Sequence, residues 1–340
     1  MTDLTASVLQ ELEPPPGLAG VDTSGHHEIA RYVARRLGQA VVLLLLVVTI
    51  VFGLSHLAAN PVDILLPPGS TPHMRAVETR LLGLNRPITA QWWIFLKHAF
   101  SGHFGVSTEF HVPILKLVAQ RSLVTIRLAI AAMVIALVIG VPVGILMAVR
   151  AGTWVDHGLG LIVGLLQGVA SFWLAVILIF LIGVDLAILP VSGDEGFSSL
   201  ILPAVCLGLA PTISFIRLTR TAMIEALATD YVKAARSRGL RPSTILVRHA
   251  LRNSVIPVIT FGGVLLGQLI SGAVITEQIF AWPGIGQLSI LSIQNGDYGV
   301  VEAITIITAA AVILLNLLVD LSYLVLDPQI HDALASGKRT

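Results

Sequence analysis

Residues 38–58, GQAVVLLLLVVTIVFGLSHLA, contain no aspartate, glutamate, lysine or arginine. As a helix the stretch is about 30 Å long, the thickness of a bilayer's hydrocarbon core. It reads as a membrane span, and residues 122–149, 158–184, 199–216, 254–276 and 303–326 read the same way. The whole chain agrees, with 55% hydrophobic and 12% charged residues among 340 and a mean hydropathy of +0.87. That is more apolar surface than a soluble core can hide. Pro142, Pro203, Pro211 and Pro257 fall inside these stretches, but in lipid a helix is the only way for a single segment to satisfy its own backbone. The expected fold class is therefore an all-α integral membrane protein with six transmembrane helices.

Charge gives the orientation. The formal net charge is +1, which offers no global field for nucleic acid or an acidic partner. With the amino terminus inside, the inner segments hold fourteen of the twenty-one lysines and arginines, while residues 185–198 and 277–302 hold none. That asymmetry follows the positive-inside rule and puts both termini in the cytoplasm. The expected organisation is a flexible cytoplasmic tail over 1–30 with no cleaved leader, a six-helix transmembrane bundle over 31–330, and a short cytoplasmic tail over 331–340. Within the bundle, 59–121 forms an external loop and 229–253 a cytoplasmic loop. Cys206, the single cysteine, excludes an internal disulfide and reads as a small buried apolar residue.

Residues 230–257, DYVKAARSRGLRPSTILVRHALRNSVIP, concentrate six basic residues in this poorly charged chain. Topology alone needs only charge, but here the charge comes with helix punctuation. Thr229 or Asp230 suits an N-cap, Gly239 a left-handed cap and Pro242 the first turn of a second helix. Ile245, Leu246, His249 and Ala250 then recur at helical spacing beside a basic face. A helix, a glycine hinge and a second helix joined to two spans read as a lever on which another protein pushes.

At these residues the chain resembles the permeases of binding-protein-dependent ATP-binding cassette importers, in the dipeptide/oligopeptide branch. DYVKAARSRGL and RHALRNSVIPVI are similar to the family's coupling loop. LGLNRPITAQWW, GHFGVST, EQIFAWPGIGQL and NLLVDLSYLVLDPQI agree at matching positions, so the likeness runs over about residues 31–330. Lys233 stands where the wider importer motif has glutamate before Ala234 and Ala235, as is usual in the peptide branch. The resemblance implies a second homologous permease, two ATPase subunits that bind ATP and magnesium, an extracytoplasmic substrate-binding protein and a peptide cargo. It also implies that Tyr231, Lys233, Ala234, Ala235, Arg236, Gly239 and Leu240 form the ATPase-coupling segment, with the small residues Ala234 and Ala235 seating in a groove on that partner. Independently of the resemblance, no G-x-x-x-x-G-K-[ST] phosphate loop occurs, SGKRT near the end lacking its first glycine. No cofactor is therefore expected on this chain, and no catalytic or metal-binding residue is assigned.

Other residues admit two readings. Trp282, Pro283, Gly284 and Gly286 form a turn with an aromatic read as exposed, suited to contact the binding protein, and Trp92 and Trp93 either join it or mark the membrane interface. Gln167, Ser171, Thr260 and Gln268 are polar groups at membrane depth that either line a translocation path or join helices. Gly263, Gly267 and Ser271 permit close helix approach within the chain or toward a partner permease. Asn316, Asp320 and Tyr323 share a face of the last span, Arg127 is expected to snorkel, and His73, His98, His103 and His111 match no compact metal site. Nickel, glutathione or another small solute as cargo is the nearest alternative. A stand-alone secondary transporter or channel is the alternative of another class, against which stand the missing inverted repeat and paired intramembrane charges.

Overall fold

The computed structural model describes residues 23–58, 66, 69–81 and 84–326. The tails at 1–22 and 327–340 lie outside the described residues. Helix α1 (Thr23–Ala58) begins inside the expected tail, since no glycine or proline interrupts residues 26–37. The segment expected to be external is built around α2 (Pro72–Leu81) and α3 (Ile88–Ser101). Then come α4 (Ile114–Val149), α5 (Trp154–Gln167) and α6 (Ser171–Leu178), which runs on as a π-helical turn over Ile179–Asp185. Helix α7 (Phe197–Ala228) is followed by the short α8 (Asp230–Ser237). Pro242–Thr244, a π-helical stretch Ile245–Leu251 and α9 (Arg252–Gly272) follow one another without a break. The chain closes with α10 (Val274–Ile279), α11 (Ile285–Gln294) and α12 (Tyr298–Leu326). Among the described residues there is no sheet, only one isolated bridge, Val106 to Pro113.

Among the described residues four helices are long and apolar enough to cross a membrane: Val33–His56 within α1, α4, α7 and Tyr298–Val319 within α12. The expected third span is two helices, α5 and α6, bent by 97° where Gly168 ends the first and Ala170 leaves helical geometry with ψ 136°. The expected fifth span divides at Ala273 into α9 and the short α10.

The centre of the bundle is the crossing of α4 and α7, and glycine makes it possible. A Cβ on Gly140 would come within 2.7 Å of Phe215 Cβ, one on Gly144 within 2.7 Å of the Ile216 carbonyl, and one on Gly208 within 2.8 Å of the Ala132 carbonyl. Backbones this close gain dispersion contacts that bulkier residues would prevent. Helix α9 packs beside the crossing through Val258, Leu265 and Leu269 against Ala129, Ala136 and Phe215. Gly263, one of the small residues of α9, faces Val319 of α12, so that approach is made within the chain. Helix α1 is held at the edge by Val48 and Val51 against Leu96 and Ile306, while Val42, Leu46, Ile50 and Leu54 stay exposed as a lipid-facing stripe.

Candidate functional site

At the basic end of the bundle, α8 leaves α7 through Thr229, whose backbone carbonyl accepts from Val232 and Lys233 N–H, each at 3.2 Å. Thr229 is the N-cap, but its hydroxyl donates to the Ala226 carbonyl at 2.6 Å instead of capping α8. The other end closes as the glycine suggests. Gly239 has φ +73°, its N–H donates to the Arg236 carbonyl at 3.0 Å, and Leu240 N–H donates to the Ala235 carbonyl at 3.3 Å. This double closure satisfies two terminal carbonyls and needs a residue that tolerates a left-handed backbone.

The two faces of α8 differ. Val232 and Ala235 are buried against Ile245 and Leu227, which fixes the helix to the rest of the chain. Tyr231, Lys233, Ala234, Arg236, Gly239 and Leu240 are exposed. The expectation that Ala234 and Ala235 seat together in a partner's groove is corrected for Ala235, because residues one apart on a helix point about 100° apart. Lys233 Nζ donates to Asp230 at 2.8 Å, a pair so exposed that it adds little stability.

At the opposite end, the EQIFAWPGIGQL segment is folded inward. The start of α11 has four backbone donors to satisfy, and the structure supplies all four acceptors. Thr125 Oγ1 on α4 accepts from Ile285 N–H at 2.9 Å. Glu277 Oε2 accepts from Gly286 N–H at 2.7 Å and from Gln287 N–H at 3.1 Å. The N-cap Gly284 N–H donates to the Trp282 carbonyl at 2.7 Å. Thr125 in turn donates to Glu277 Oε1 at 2.6 Å, so one carboxylate and one hydroxyl tie α4, α10 and α11 together. A side chain on Gly284 would collide with Glu277 and Thr125.

The exposed aromatic expected at this turn is thereby corrected. Trp282 is fully buried among Leu128 and Ala204, its indole N–H donating to the Val124 carbonyl at 3.2 Å. Gly284 and Gly286 are buried as well, and the Pro283 carbonyl accepts from Arg121 at 3.0 Å. Turn residues usually mark surface, but this turn has its polar groups paired inside. Trp92 donates to Thr49 on α1 at 3.2 Å, whereas Trp93 remains 53% exposed. Arg127, expected to snorkel, is half-exposed and forms a two-pronged pair with Asp194 at 3.1 and 3.2 Å.

Between α5, α6, α7 and α9 lies a cavity of about 450 Å³, and Gln167, Ser171 and Gln268 meet in it together with Cys206, Ser214 and Thr276. Its lining carries no charged side chain. Thr260 is buried elsewhere and does not join it. The side chains of Asp320 and Tyr323 lie outside the described residues. His73, His98, His103 and His111 are all exposed, and among the described residues no three metal-ligating side chains converge.

Sequence reasoning missed Glu277, Thr125, the Asp156–Arg220 pair and Asp297, which accepts from Ser107 at 2.5 Å and fixes the external segment to the start of α12. A signal existed for Glu277 alone: a carboxylate at the end of an apolar run, followed by a G-x-G at the start of a helical segment.

The comparisons with known proteins follow this architecture. The family profile described as "binding-protein-dependent transport system inner membrane component" matches residues 140–332, and its N-terminal companion matches residues 29–122. A probable peptide permease of Sinorhizobium fredii, y4tP, is 36% identical over 310 residues, covering 88% of this chain and 99% of that protein. The dipeptide permease DppB of Escherichia coli K12 is 34% identical over 337 residues, covering 88% and 98%. The glutathione permease GsiC of Salmonella paratyphi A is 33% identical over 303 residues with the same coverage. A solved chain of the inward-facing methionine transporter MetNI is 22% identical with a TM-score of 0.48, covering 65% of this chain and 98% of that one.

Proposed function

The chain belongs to the family of binding-protein-dependent transport system inner membrane components, and on that premise we propose that it forms half of the translocation path of an ATP-driven peptide importer. The family's members are multi-pass inner-membrane permease subunits and not enzymes. In this reading a homologous permease supplies the other half of the path and two separate ATPase subunits bind ATP and magnesium. An extracytoplasmic binding protein delivers cargo at the outer end, near the exposed Trp93. Both termini face the cytoplasm.

The observation that carries the coupling role is the two-sided character of α8. One face is anchored by Val232 and Ala235, and the other offers Tyr231, Ala234 and Leu240 to a partner. A helix fixed on one side and bare on the other transmits force only if its end is held at a set angle, and Gly239 sets that angle. The cavity supports a peptide cargo: uncharged amides and hydroxyls match backbone amides without selecting side-chain charge. Glutathione, itself a peptide, falls within this class.

Gly239→Val tests the reading. A β-branched residue at φ +73° costs about 1–2 kcal/mol locally and misdirects α8, while every basic residue that sets topology is kept. In vesicles holding the assembled transporter and its binding protein, the expected result is normal insertion with ATP hydrolysis no longer driving uptake. Gly239→Asn, which tolerates the left-handed backbone, restores most uptake. Wild-type uptake per ATP in Gly239→Val would show that the segment only orients the chain.

A further inference from the structure

A second cavity, of about 400 Å³, opens between α4, α5 and α7 where α4 ends and α5 begins. Met147, Val163 and Ile216 form its apolar floor, and Arg217, Arg220 and His157 its polar rim. Asp156, the one acid in the lining, is committed: both its oxygens are held by Arg220 at 2.8 Å, and one also accepts from Gly152 N–H at 3.0 Å. The Arg220 guanidinium is thereby fixed in position. Arg217, one turn earlier on the same helix, is exposed and, among the described residues, makes no hydrogen bond or ion pair. Two arginines against one aspartate leave one positive charge in excess at the rim.

The surroundings place this rim at headgroup level. Trp154, 82% exposed, stands at the first position of α5, where tryptophan marks a membrane interface. Leu161 and Leu165 follow on the same face of α5, both exposed, as a greasy strip leading away from the rim. A phosphate-sized anion at Arg217 with hydrocarbon lying along Leu161 and Leu165 satisfies both halves of the surface. Basic pockets between transmembrane helices at this level hold anionic headgroups.

The geometry points to a binding site for one anionic phospholipid, its phosphodiester at Arg217 beside the fixed Arg220 and its acyl chain on the exposed face of α5. The inference needs only that the chain is a multi-pass membrane protein, and it stands whether or not the coupling reading does. The shared chemistry is a phosphate oxyanion, and the site takes it from lipid, because a free ion would leave the leucine strip bare.

The test is lipid retention by the full-length protein. Wild type, Arg217→Gln and Arg217→Lys are reconstituted in vesicles of phosphatidylcholine with a minor share of phosphatidylglycerol, recovered in polymer-bounded discs, and their phospholipids quantified. Because Arg217 bonds to no described residue, its replacement leaves the fold intact, and matching elution profiles check this. Wild type is expected to enrich phosphatidylglycerol over the vesicle composition, Arg217→Gln to lower the enrichment about fivefold, the equivalent of about 1 kcal/mol per basic residue near the surface, and Arg217→Lys to keep most of it. Equal retention in wild type and Arg217→Gln would overturn the site. So would displacement of the lipid by millimolar inorganic phosphate, which would assign the rim to a free anion. Loss of a co-purifying second permease from Arg217→Gln, with lipid retention unchanged, would assign this face to that partner and overturn the lipid site.

Discussion

Glu277 is the residue whose loss should cost the most. It accepts three hydrogen bonds in a buried site, two from amides of α11 and one from Thr125. Replacing it with alanine leaves both amides without a partner where water does not reach. Each stranded buried donor costs about 1–3 kcal/mol, so with the Thr125 hydroxyl free to turn toward another acceptor the two amides together cost about 2–6 kcal/mol. Glu277→Gln keeps an oxygen that can face Gly286 and Gln287 and presents an amide N–H to Thr125 Oγ1, whose own O–H then turns to another acceptor, so charge-assisted strength and that one bond are lost, about 1–2 kcal/mol. The assay is the apparent melting temperature of purified protein in detergent, followed by monodisperse elution after heating. The expected order is wild type, then Glu277→Gln, then Glu277→Ala well below both. Thr125→Val, which strands Ile285 N–H and one bond to the carboxylate, should fall between the two variants. Equal melting of Glu277→Ala and wild type would refute the claim that this carboxylate holds α4, α10 and α11 together.

Two further outcomes follow from the bundle. Gly144→Leu forces α4 away from Ile216 and Thr219, and overpacking of this kind costs about 1–3 kcal/mol or more; a melting temperature already lowered in Gly144→Ala, whose Cβ alone meets the Ile216 carbonyl, and lowered further in Gly144→Leu checks it. In a Cys206→Ser background, a cysteine at the exposed Ser237 should react with an impermeant reagent only from the cytoplasm, and one at the exposed Ser192 only from outside; the opposite labelling would invert the topology.

What the sequence disclosed depended on how local each feature was. Apolar runs of helical length announced α1, α4, α7 and α12, since lipid permits few other structures. Gly239 announced its own turn, because a left-handed cap depends on one residue and its immediate neighbours. The bend between α5 and α6 was less visible: QGVAS interrupts hydropathy too briefly to be distinguished from a continuous span. Burial of Trp282 was hidden for another reason. It depends on a hole left by Leu128 and Ala204, more than 70 positions earlier in the chain, and no pattern near W-P-G encodes that hole. The same distance hid the Asp156–Arg220 pair, 64 positions apart, and the partnership of Asp194 with Arg127. Of the four polar residues proposed for a path, three met in one cavity because α5, α6 and α9 turn them toward α7, a choice of helix rotation that an all-apolar periodicity does not reveal.

The closure of α11 also bears on the order in which the chain is assembled. Thr125 and the recess for the indole are made early in synthesis, on α4 and α7, whereas Glu277, Trp282 and the amides they serve emerge some 150 residues after Thr125. Until then the recess holds no indole, and the first amides of α11 have no acceptor in the bilayer. Helix α11 therefore completes its first turn only when it meets an α4 already docked on α7, and a chain with those two helices misplaced is left with unpaired donors at the start of α11.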